Sequence, residues 1–169
     1  MNKSRDLVTS RIIKVVVMAA LLLVSAMTHA ADYSSGHGAL QLWDDEAKAN
    51  LPQWIKLWLM FMLLVFASGL LFVWRHMEAR WVVGGVIAGL LFSRFAVPAL
   101  GLVPLSGLVA LVHLIFWSPA LFLLIKNRPF AKGWSAYAVW SGLATFCIVF
   151  SFVFDVRDAA IYLWHMLLG

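Results

Sequence analysis

The chain has little charge. Asp, Glu, Lys and Arg make up 12% of its 169 residues, where a soluble domain carries about 25%. Cys147 is the single cysteine, which excludes an intrachain disulfide and a thiolate metal cage. A Gly-rich phosphate loop is missing, and so is a Ser–His–Asp arrangement. The apolar runs, as the sequence bounds them, contain no Asp or Glu, the side chain a proton-coupled carrier normally places in the membrane. Inverted halves, the usual transporter signature, are absent too. A bundle-bound haem needs paired axial ligands. Only His113 lies within an apolar run; His29, His37, His76 and His165 lie outside. These absences lead us to expect no cofactor, no metal and no catalytic set.

What the chain has is apolar length. Hydrophobic residues make up 63% of it, gathered into runs of roughly twenty, the length that crosses a hydrocarbon core of about 30 Å. Trp, Lys, Arg or Pro bounds each run. The fold class expected is an all-α integral membrane protein: a four-helix transmembrane bundle after an N-terminal signal peptide, with short periplasmic interfacial helices. The spans are placed at 57–74, 81–98, 105–125 and 134–154.

Residues 1–30 hold Lys3, Arg5, Arg11 and Lys14, then an apolar stretch over 15–27 and Thr28-His29-Ala30. A basic head, a short apolar region and small residues at the cut make a signal peptide. An uncleaved signal anchor is the alternative, and both put residue 31 outside. In 31–56, Leu40, Trp43 and Ala47 recur at helical spacing, so a short surface helix is expected over 39–49. Asp44, Asp45 and Glu46 read as its solvated face rather than a metal site, because consecutive helical side chains diverge. In 155–169, Asp155 is read as the N-cap of a separate tail helix, with Asp158 in its first turn. That helix is apolar beyond Ala159.

Loop charges orient the bundle. Arg75, Arg80, Lys126, Arg128 and Lys132 occupy two loops, and 98–107 has no charge at all. The segments 31–56 and 155–169 carry three Lys/Arg (Lys48, Lys56, Arg157) against six Asp/Glu (Asp32, Asp44, Asp45, Glu46, Asp155, Asp158). Positive loops stay in the cytoplasm. The expectation is a multi-pass protein of the bacterial inner membrane with mature N-terminus and C-terminus periplasmic. The net charge of +5 is thereby spent on orientation, and no nucleic-acid partner is expected.

Two polar residues break the apolar rule. Arg94 lies thirteen residues past Trp81, roughly 20 Å from that interface by helical rise. His113 lies at similar depth if the second and third spans form a tight hairpin. Intramembrane ionisable residues mark function by default, so Arg94 and His113 are the candidate ligand-binding residues. The competing readings are a snorkelling Arg94 and a His113 that only bonds a neighbouring helix. Gly85, Gly89 and Ser93 form a small-residue face, with Ala138 and Gly142 a second, and both suit close helix packing. Pro119 is expected to disturb the third span. Asp155, Arg157, Asp158 and Trp164 are the candidate partner-docking residues.

Two functions fit this pattern. One is a non-enzymatic subunit or assembly factor of a membrane complex, with lipids and a membrane-protein partner or a second copy as its contacts. The other is a binder or carrier of a small anionic ligand or lipid through Arg94 and His113 in the outer leaflet.

Overall fold

The structure, a computed structural model, describes residues 38–168. The expected signal peptide and the first residues after it lie outside the described residues. The described chain is helical, and its only β-pairing is one isolated antiparallel bridge, Leu42 with Leu105. After a 3₁₀ turn at Gly38–Leu40 come α1 (Asp45–Ala49), α2 (Gln53–Ser68), α3 (Met77–Leu91), α4 (Val97–Ala99), α5 (Ser106–Asn127) and α6 (Ala136–Leu168). A 3₁₀ turn extends α2 to Leu71, and a π turn, Phe92–Ala96, joins α3 to α4. Four helical stretches are long and apolar enough to cross a membrane: Gln53–Leu71, Met77–Ala99, Ser106–Ala131 and Ala136–Leu168.

The core runs down the middle of these four. Val65 and Phe66 of α2, Ala79 and Val82 of α3, Trp117, Ala120 and Leu124 of α5, and Trp140, Ala144, Cys147 and Ile148 of α6 form it. The Trp140 indole N–H donates to the Val65 carbonyl at 2.8 Å in the interior, so the ring is buried without orphaning its donor. Trp58 meets Phe150 at 4.6 Å with the rings tilted by 59°, and Phe66 meets Trp117 edge-on at 5.2 Å. Aromatic contacts of this kind fasten α2 to both α5 and α6.

Small residues set how closely the helices approach. A Cβ on Gly85 would stand 2.5 Å from the Phe116 carbonyl oxygen, and one on Gly89 3.6 Å from Val112. Both glycines of α3 therefore face α5. Ser93 is half-buried, Ala138 is buried, and Gly142 faces Phe130 across 3.5 Å. The hydroxyls of Ser141 and Thr145 bond carbonyls of their own helix.

Two local expectations are corrected. The helix expected over 39–49 is broken in the middle. Asp44 takes an extended backbone and its carboxylate accepts from the Ala47 N–H at 2.8 Å, so helix starts only at Asp45. The residues before it pair with the interhelical turn instead: Trp43 N–H to the Pro104 carbonyl at 2.7 Å, and Ser106 N–H to the Gln41 carbonyl at 2.9 Å. The break expected at 154/155 does not exist either. Helix α6 is continuous over 33 residues, so Asp155 is an interior residue and not an N-cap. No Gly or Pro lies between Gly142 and Gly169 to end the helix. Two carboxylates, Asp155 and Asp158, thus belong to the fourth long apolar helix, where the sequence reading had none. Pro119, expected to kink the third span, sits inside α5, which continues through it.

Candidate functional site

The bundle has two ends of different character. The loops 72–76 and 128–135 form the basic end. The turn through Pro98, Gly101 and Pro104 marks the other, where Gly101 takes a positive φ of 67°, open to glycine at no steric cost.

At the turn end, α5 and α6 come into direct contact. A Cβ on Gly107 would lie 2.5 Å from Tyr162 Cβ, 2.7 Å from the Asp158 carbonyl oxygen and 3.0 Å from that of Ala39. Three segments meet at this one glycine. Farther along the same interface, His113 Nδ1 lies 3.3 Å from Asp155 Oδ2, with side chains 28% and 14% exposed. Both atoms are buried, and neither makes a hydrogen bond, so the contact is one of proximity. The imidazole is stacked on the Trp117 indole at 4.1 Å and 15°, a contact that i, i+4 spacing on α5 makes possible. Asp155 stands nineteen residues from Ala136, roughly 28 Å along the helix. On α6, Asp158 feels both Arg157 and Asp155 electrostatically. The site is a carboxylate–imidazole pair clamped between two helices, flanked by a second acid and a guanidinium.

Arg94 does not join it. It lies in the π turn, exposed, with Phe95 exposed beside it. Among the described residues its guanidinium makes no hydrogen bond or ion pair. His113 is paired with Asp155 instead. The nearest bundle end, at Ala99, is five residues away, roughly 8 Å of rise, which a guanidinium on its flexible stem can cover. Of the docking candidates, Asp155 and Asp158 face the α5 interface. Trp164 is 70% exposed on the last turns of α6.

The basic end holds a second polar cluster that sequence reading missed. The Glu78 carboxylate accepts from Asn127 Nδ2 at 2.7 Å and from the Tyr137 hydroxyl at 2.8 Å. His76 stacks on the Tyr137 ring at 3.4 Å. One acid of α3 thereby ties α5 and α6 together. Nothing in the local sequence around Glu78 announces partners so distant in the chain. The His113–Asp155 pair was more accessible: the absence of Gly and Pro from 143 to 168 already argued for one long helix, which would have brought Asp155 inside it.

Metal-type clusters of three or more His, Cys, Asp or Glu side chains are absent among the described residues. No protein-family model, curated protein or solved structure matches the chain.

Proposed function

We propose that this protein is a non-enzymatic subunit or accessory factor of a membrane complex, set in a bacterial inner membrane with its basic end cytoplasmic and both mature termini periplasmic. The observation that carries the reading is the overhang of α6. Thirty-three residues give a helix of roughly 50 Å, against a hydrocarbon core of about 30 Å. Even tilted by about 40°, the upper limit of common tilts, it would project roughly 38 Å. Yet its last turns stay apolar: Leu163, Trp164, Met166, Leu167 and Leu168 are all exposed, Leu167 at 79%. An apolar helix end left uncovered by the described residues is a surface for a partner.

The test is a photo-crosslinking amino acid placed at Trp164 in living cells, with Phe61 on α2 as the reference position. A discrete protein adduct at 164, with the same partner co-purifying in stoichiometric amount, is the expected result. No adduct at 164 from a protein that purifies alone overturns the reading.

Arg94 favours a second reading, binding of an anionic ligand or lipid. A charge within a spanning helix carries an insertion cost that snorkelling lowers near the helix end, and an anionic partner offsets what remains. Arg94→Gln separates the two readings. It removes a co-purifying anionic ligand under the second and leaves the Trp164 adduct in place under the first.

A further inference from the structure

Helices α2 and α3 are consecutive in the chain but do not pack closely along their length. Helix α2 is drawn to α6 by the Trp140–Val65 hydrogen bond and the Trp58–Phe150 contact. Helix α3 is drawn to α5 by Gly85 and Gly89. The space left between them is a wholly apolar groove of about 190 Å³, with Ala67 and Leu70 on one wall and Val83 and Ile87 on the other. It runs from Leu63 and Leu90 toward Leu70 and Val83, and so toward the loop that joins the two helices.

That loop is cationic and preorganised. Arg80 Nε donates to the Val73 carbonyl at 2.7 Å and Nη2 to the Trp74 carbonyl at 3.1 Å. Two backbone acceptors that would repel an anion are thus occupied. Arg75 is exposed, and its guanidinium has no hydrogen bond or ion pair among the described residues. The one acid nearby, Glu78, is turned to Asn127 on α5 and Tyr137 on α6, so it does not neutralise Arg75. Trp74 is 84% exposed in the same loop, and a Trp ring prefers the headgroup level of a bilayer.

We propose that this groove and loop form a binding site for one anionic phospholipid, with an acyl chain between α2 and α3 and the phosphodiester on Arg75. The occupant follows from complementarity. The groove is apolar along its whole lining, and its mouth carries two guanidiniums with no opposing carboxylate. A neutral or zwitterionic lipid satisfies only the groove, and a partner helix satisfies only the apolar walls. The site is separate from Arg94 and does not depend on the subunit reading.

The experiment is native mass spectrometry of the purified full chain with phosphatidylglycerol or phosphatidylcholine of identical acyl chains. Phosphatidylglycerol is expected to be retained in preference, as a single adduct. Its excess should fall with rising salt, since exposed charges are screened; this arm needs no variant. Arg75→Gln should lower phosphatidylglycerol retention about fivefold, the worth of one basic residue at a headgroup surface, without changing phosphatidylcholine. Ala67→Phe, on the exposed groove wall, should lower both. Lys48→Gln on α1 should change neither. Equal retention of the two lipids in wild type overturns the proposal, as does an Arg75→Gln protein whose preference for phosphatidylglycerol is undiminished. Full retention by Ala67→Phe, eluting as wild type, overturns the placement in the groove.

Discussion

His113 on α5 and Asp155 on α6 face each other at 3.3 Å across the helix interface, and neither facing atom makes a hydrogen bond to any other group. Removing one of the two leaves the other's buried polar atom with no group opposite it, which typically costs about 1–3 kcal/mol.

Asp155→Asn and His113→Gln are each expected to lower the thermal stability of the purified protein. The double variant should lose less than the sum of the two, by at least about 1 kcal/mol. Thermal unfolding in one detergent completes the cycle. Strict additivity would mean that the two side chains are neighbours without being coupled.

The contact at Gly107 has almost no slack. Gly107→Ala places a Cβ within 2.5 Å of Tyr162 Cβ and 2.7 Å of the Asp158 backbone oxygen. Overpacking of this kind typically costs about 1–3 kcal/mol, and backbone cannot swing aside as a side-chain tip can. Gly84→Ala is the counterpart, because nothing lies within 4 Å of its Cβ position. It should be neutral or should stabilise by up to about 1 kcal/mol through helix propensity. Melting temperatures of the two variants should move apart, and a shared direction would contradict the packing.

At the basic end, Tyr137→Phe removes one of the two side-chain donors to the Glu78 carboxylate. A hydrogen bond to a charged group is worth about 1.5–3 kcal/mol, with half-burial placing this one toward the lower figure. Glu78→Ala should cost more, since it strands both Asn127 and Tyr137. An unchanged melting temperature for Tyr137→Phe would show that solvent replaces the lost donor.

Orientation is open to a direct check. A reporter active only in the periplasm is expected to stay silent when inserted at Gly133 and to be active when inserted at Gly101. Activity at Gly133 would invert the topology and move Arg94 to the cytoplasmic leaflet.

Much of the fold is legible in the sequence because lipid imposes few solutions. A run of about twenty apolar residues has to close its backbone hydrogen bonds within a helix, and all four long helices overlap the runs read from hydropathy. The errors share one cause. Asp44 and Asp155 are both plausible caps by residue type, yet only Asp44 caps a helix. What separates them is tertiary: Asp155 has His113 to face, and no local pattern reports a partner on another helix. Hydropathy likewise placed Arg94 and His113 at similar depth. Depth is not azimuth, and His113 turns to α6 while Arg94 looks outward from a π turn that spacing rules do not anticipate.

The pairing of residues 41–43 with 104–106 fixes more than a local shape. The Trp43 and Ser106 backbone bonds and the seat of Ala39 against Gly107 moor the chain beside the Pro104 turn. Residues 39–43 are held by that turn rather than by the helix that follows them, so this end of the bundle is fastened by backbone pairing as well as by side-chain packing.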